Sequence, residues 1–296
     1  MTYTEVAVPF ECESEWLLGI LAQPETPSDT GVVVIVGGPQ YRAGSHRQFV
    51  LLARALAQAG HAVLRIDYRG MGDSSGQACD FRQVTADIAA AIDAFQKQVP
   101  NVKTVRLWGL CDGASAALIY WHETRDPRVS GMCLLNPWVR SEASLARTQV
   151  KHYYTQRLMQ REFWIKLVSG KVAVSALAGM ASTVRRMRQQ SKSTIGVNLS
   201  FQQAMAMAWK QYTGKLLLIL SDEDYTAKEF LEYVKSDPAW SAALRQPNLI
   251  RHDVQGADHT FSDLQHSRHV ETLTVNWLKG LLPSENSGAV NHSQQT

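Results

Sequence analysis

The stretch Trp108-Gly109-Leu110-Cys111-Asp112-Gly113 joins a strand-like run (Val102–Gly109) to a helical one (Ala114–Thr124). It has the G-x-S-x-G form of a nucleophile elbow, with cysteine in the place of serine. Such a turn holds one side chain on strained backbone at the end of a strand. The positions two before and two after it must then lack side chains, so that strand and helix can approach. The turn also aims the backbone N–H of Asp112 at any oxyanion formed beside Cys111. Taken alone, Cys111 reads equally well as a small apolar residue buried after a strand. Its surroundings decide between the two.

Outward from the elbow, strand and helix alternate. Gly31–Val36 is β-branched on both faces, as expected of a strand covered on each side. Ser45–Ala59 has helical spacing and ends at Gly60; His61–Ile66 reads as a strand, Val84–Gln98 as a helix and Val129–Leu135 as a strand. Further strands are expected at Leu216–Leu220 and Asn248–Val254, with a final helix around Ser267–Leu281. Tyr3–Phe10 and Trp16–Ala22 alternate in the manner of an antiparallel hairpin. The pattern predicts an α/β protein with a mostly parallel sheet and helices on both faces.

The rhythm stops after Leu135. Between Arg140 and Lys192 eleven Lys or Arg stand against Glu142 and Glu162, a net charge of +9 in a chain whose total is +3. We read 140–204 as a helical cap inserted into a core formed by 1–139 and 205–284, and 285–296 as a disordered polar tail. The basic insertion admits three readings: a solvated helix face, a landing surface for anionic membrane, or a cradle for an anionic substrate. Nucleic acid is disfavoured, since the charge comes without a nucleic-acid motif. No basic leader precedes an apolar run at the N-terminus, and no apolar run approaches the roughly 20 residues of a spanning helix. Cys12, Cys79, Cys111 and Cys133 are too scattered for a disulfide framework. A cytoplasmic protein is expected. His266 and His269 share a helical face but lack a third ligand, so neither a metal nor a cofactor is expected.

The partners an elbow needs follow in chain order. Ser221-Asp222-Glu223-Asp224 is an acidic loop after one strand, and Gly256-Ala257-Asp258-His259 follows the next. His259 can take the thiol proton while a carboxylate fixes its tautomer. Asp224 is the leading acid and Asp222 the alternative, with Glu223 third. A second oxyanion donor is expected from Val36-Gly37-Gly38-Pro39-Gln40. Pro39 has no N–H, which leaves Gly38, the favoured donor, or Gln40. Asp67 and Arg69 are expected to pair across the turn Arg65–Gly76. Cys12 and Cys133 read as core.

Together the Gly37-Gly38-Pro39 loop, Asp67-Tyr68-Arg69-Gly70-Met71-Gly72, Gly109-x-Cys111-x-Gly113, Asp224 and Gly256-x-x-His259 resemble the α/β-hydrolase superfamily over about residues 15 to 282. Gly37–Arg47, Tyr153-Tyr154-x-x-Arg157-Leu158 and Phe163-Trp164-x-Lys166-Leu167 more narrowly resemble hydrolase 1 of the exosortase A system. That bacterial family accompanies exopolysaccharide and protein-sorting gene clusters. The resemblance implies the α/β-hydrolase fold and a Cys111–His259–Asp224 triad. Cysteine for serine is the main departure, and it changes the chemistry. A thiol beside histidine can exist as a thiolate before attack, and the resulting thioester is reactive toward amines and thiols. The expected substrate is a small acyl compound, an ester or thioester, with hydrolysis as the outcome. The alternatives are acyl transfer from a thioester donor, the elbow pattern of polyhydroxyalkanoate synthases, and a catalytically silent binding module of the same fold.

Overall fold

The computed structural model describes residues 2–38, 40–140 and 199–282. The chain divides into two compact units, Met1–Val139 with Phe201–Thr296, and Arg140–Ser200. Residues 141–198 of the expected insertion and the expected tail over 285–296 lie outside the described residues.

The sheet begins with β1 (Tyr3–Cys12) and β2 (Glu15–Pro24), paired antiparallel from Tyr3↔Pro24 to Cys12↔Glu15. Only Glu13 and Ser14 separate them, and both have positive φ, 49° and 69°, which lets so short a turn follow the strand twist. The other strands are β3 (Thr30–Ile35), β4 (Val63–Ile66), β5 (Thr104–Leu110), β6 (Val129–Leu135), β7 (Lys215–Ser221) and β8 (Leu249–Val254). The strand order is β1-β2-β4-β3-β5-β6-β7-β8; β2 runs antiparallel to β4, and every pairing from β4 to β8 is parallel. Strands β3 to β7 are almost wholly buried, because helices cover both faces and leave no wet side to alternate toward. The described helices are α1 (Gln48–Gln58), α2 (Thr85–Gln98), α3 (Asp112–Thr124), α4 (Phe201–Gln211), α5 (Tyr225–Ser236) and α6 (Leu264–Leu278).

The topology fixes where chemistry can happen. From β3 the chain crosses to β4 on one side, then returns past β3 to β5 and continues in the other direction. This reversal opens a crevice beyond the carboxyl ends of β3 and β5, where α/β sheets bind their ligands. The register Ile35↔Gly109 sets the Gly37–Gly38 loop beside Cys111.

Several expectations change in detail. The helix expected from Ser45 starts at Gln48, because His46 and Arg47 have φ of 53° and 61° and break the turn before it. The final helix lies three residues earlier than expected, capped by Asp263, whose side chain accepts from Gln265 N–H. The core resumes at Phe201, not 205, because α4 is one helix with Gln202, Ala204, Met205, Ala208 and Trp209 buried. Helix α5 was not anticipated. Its polar sequence folds over few apolar contacts, chiefly buried Phe230, whose ring lies 5.7 Å edge-on from Trp240.

Asp67 and Arg69 do not pair. Asp67, fully buried, accepts from the backbone N–H of Arg42 at 2.7 Å, from the Arg42 guanidinium and from Asp73 N–H at 3.2 Å. Arg69 turns away and binds buried Asp87, with Nη2 to Oδ2 at 2.8 Å, and also Glu13. Both lie past Ile66, the last residue of β4, where no strand register sets one against the other. Each therefore finds a partner from another element.

Candidate active site

Cys111 sits between β5 and α3 with φ 60° and ψ −124°, a conformation side chains rarely adopt. Backbone packing holds it there. Its N–H donates to Leu135 O at 2.8 Å, and its carbonyl accepts from Ala114 N–H at 3.1 Å and Trp138 N–H at 3.2 Å. The flanking glycines are sterically required. A Cβ on Gly109 would lie 2.5 Å from the Gly113 carbonyl, and one on Gly113 would lie 2.5 Å from Ile35 O. The elbow is thus wedged between its own helix and β3, and Cys111 is half-buried.

His259 comes from the loop between β8 and α6. Its Nδ1 bonds Asp224 Oδ2 at 2.8 Å, and the Cys111 thiol hydrogen-bonds with the same imidazole. The bond to Asp224, then the one to Cys111, push the imidazolium pKa up to about 10 against the cost of burial. Asp224 is nearly buried and is also the N-cap of α5, accepting from Thr226 N–H at 3.0 Å and Ala227 N–H at 3.1 Å. Burial would raise its pKa, but the bonds from His259 and these N–H groups outweigh burial and hold it below the usual carboxylate range. Asp222, the alternative acid, lies elsewhere: its Oδ1 accepts from Gly256 N–H at 2.7 Å and braces the histidine loop.

One residue of this assembly escaped the sequence reading. Asn136, fully buried just beyond β6, donates from Nδ2 to Ser221 Oγ at 2.7 Å and to His259 O at 3.0 Å. Its Oδ1 accepts from Ser221 N–H at 2.9 Å. It therefore ties the acidic loop to the histidine loop. In the sequence, Asn136-Pro137 reads only as a turn.

The expected oxyanion donors are adjacent, but one is engaged. Gly38 N–H, at φ 60°, donates to Asp112 Oδ1 at 2.5 Å. The Gln40 side chain bonds Ser45 Oγ at 2.8 Å. Among the described residues no cluster of three His, Cys, Asp or Glu could hold a metal, and no helix is long and apolar enough to cross a membrane.

An eight-stranded sheet reversing direction at β3, with a strained elbow at the reversal and an acid and a histidine after β7 and β8, is the α/β-hydrolase fold. Residues 27–225 match the hydrolase family described as serine aminopeptidase, S33, and the chain belongs to that family. The family description names serine, whereas the elbow here carries Cys111. The esterase Pf2001 of Pyrococcus furiosus is similar in fold, with a TM-score of 0.61 at 17% identity over 94% of this chain and 92% of that one. So is a dienelactone hydrolase from Anabaena variabilis, with a TM-score of 0.60 at 16% identity over 96% of this chain and all of that one. The human protein ABHD12B is 35% identical over 86 residues, which are 29% of this chain and only 23% of that relative's length.

Proposed function

We propose that the protein hydrolyses an ester or thioester through a covalent acyl-enzyme on Cys111. The carrying observation is His259 bonded through Nδ1 to Asp224 and in contact with the Cys111 thiol. In this reading His259 holds the thiol proton on Nε2, and Asp224 fixes the tautomer and balances the imidazolium. The sulfur attacks the acyl carbon, and the carbonyl electron pair moves onto oxygen, facing the N–H groups of Gly38 and Asp112. Collapse re-forms the carbonyl and breaks the bond to the leaving group, which takes the proton from His259. A water then gives a proton to His259 and attacks the thioester. The acid departs and the thiol is restored.

The sulfur narrows the substrate class. Thiolate leaves more readily than an amide nitrogen, so an intermediate on an unactivated peptide would revert. Esters and thioesters carry leaving groups that compete with it. The likeness of Gly37–Arg47 to hydrolase 1 of the exosortase A system supports an acyl substrate from bacterial exopolysaccharide or protein-sorting systems.

Incubation with phenyl thioacetate followed by intact mass should show one acetyl group on Cys111 in the wild-type protein and none in Cys111→Ala. Undiminished acetylation of the variant would refute the assignment.

A further inference from the structure

The residue after the candidate nucleophile places its own carboxylate where the reacting oxygen belongs. Asp112 Oδ1 takes the Gly38 N–H at 2.5 Å, and the backbone N–H groups of Gly113 and Asp112 favour the charge on the same carboxylate. A Cβ on Gly37 would meet that oxygen at 2.4 Å, so the side chain lies against the glycine pair. Gly38 and Asp112 are the two donors that an acyl oxyanion would require. At rest, the hole holds an anion supplied by the protein. Burial raises the Asp112 pKa, and the three backbone N–H groups offset this only in part.

A receiver for this carboxylate stands at the same edge of the sheet, after the strand next to β3. Tyr68, just beyond β4, is 3% exposed, and its hydroxyl has no hydrogen-bond partner among the described residues. Burial, and then the charge of Asp112, drive the pKa of that phenol well up. A buried hydroxyl without a partner is a standing penalty that an arriving acceptor would relieve. We infer that the Asp112 side chain gates the oxyanion hole, resting on the Gly38 N–H and moving to the Tyr68 hydroxyl when an acyl oxygen takes its place. The gate deepens the proposed function and rests on Cys111 being the nucleophile.

The physics sets where the gate acts. A neutral carbonyl oxygen is a poorer acceptor than a carboxylate and does not displace it on binding. The oxygen becomes a competitor as negative charge develops during attack. Opening is therefore counted in the rate of acylation and hardly in substrate affinity. Tyr68 is a positioning residue: it receives the displaced carboxylate and touches no substrate.

A double-mutant cycle on acetyl transfer from phenyl thioacetate tests this, read as the single-turnover rate and the concentration for half-saturation. Asp112→Ala keeps the backbone donor and removes the occupant; its acylation should be about tenfold faster at unchanged half-saturation. Tyr68→Phe should acylate about tenfold more slowly, because the carboxylate loses its alternative seat. With Asp112→Ala in place, adding Tyr68→Phe should change the rate by less than about twofold. Asp112→Asn keeps the shape and loses the charge, so it should lie between wild type and alanine, and it serves if the alanine variant does not fold. An equal loss from Tyr68→Phe in both backgrounds would make Tyr68 structural and overturn the gate. So would an Asp112 variant that folds and acylates no faster than wild type. If intact mass finds no acetyl group on Cys111 in any folded variant, the nucleophile assignment itself fails and the gate falls with it.

Discussion

The turn from β5 into α3 and the turn after β4 leave the same edge of the sheet, with only β3 between them, and different forces hold each in shape. At the elbow, shape comes from what is missing: Gly109 and Gly113 leave no room for a Cβ, and backbone hydrogen bonds fix Cys111 at positive φ. After β4, shape comes from charge. Buried Asp67 gathers two backbone N–H groups and the Arg42 guanidinium, while buried Asp87 takes Arg69. Steric exclusion fixes one atom tightly and offers no partner to lose. A desolvated ion pair holds a longer loop but leaves an unpaired charge behind if one member is removed.

The largest expected effect separates the two acids near the elbow's partner. Asp224→Asn should lower acylation on the order of 10³-fold, since the imidazole loses the partner that orients it. Asp222→Asn should cost less than about tenfold, because that carboxylate only braces Gly256. Stopped-flow release of thiophenol compares them, and equal losses would return the choice of acid to open ground. Next comes the elbow itself. Gly113→Ala should destabilise the fold by about 3 kcal/mol in urea unfolding, because the new methyl meets the Ile35 carbonyl and overpacks a site with no flexible neighbour. Asp67→Ala should cost a similar ~3 kcal/mol by the other route, leaving Arg42 without its buried counterion. Asp67→Ala together with Arg42→Met should recover part of the loss, whereas no second-site change at a side chain should rescue Gly113→Ala.

The smallest effect concerns pH. His259 binds its proton more tightly folded, near 10, than unfolded, near 6.5. Its stabilisation is complete below 6.5, declines as pH rises and is gone above about 10. Asp224, held below its ordinary 3.8, stabilises above that value and loses its contribution as pH falls. The stability gap between wild type and His259→Gln should therefore be widest between pH 3.8 and 6.5 and shrink toward pH 10. Urea midpoints at pH 5.5, 8 and 10 measure it; a gap that grows with pH would contradict the assigned pairing.

What the sequence revealed follows the same division. Strands and the elbow are local patterns: five buried positions in a row in β3 or the spacing Gly-x-Cys-x-Gly can be read within a few residues. The chain order of Cys111, Asp224 and His259 is visible for the same reason. Ionic partners are not local. Asp67 reaches Arg42 and Arg69 reaches Asp87, 25 and 18 residues away, so a pairing inferred from adjacency failed. Helix α5 was missed because its buried face is short, with Thr226, Ala227, Phe230 and Val234 among many charges. Asn136 works only through contacts 85 and 123 residues distant, which no window of sequence contains.

The carboxylate of Asp224 serves two masters at once: it closes the first turn of α5 and it steers the imidazole. Fraying of that helical end and drift of the ring are accordingly one motion. Warming should loosen the first turn of α5 well before the sheet gives way, so the protein would fall silent while still folded. Its working temperature range would then be set by the grip of a single helical turn, and the melting point of the whole would overstate it.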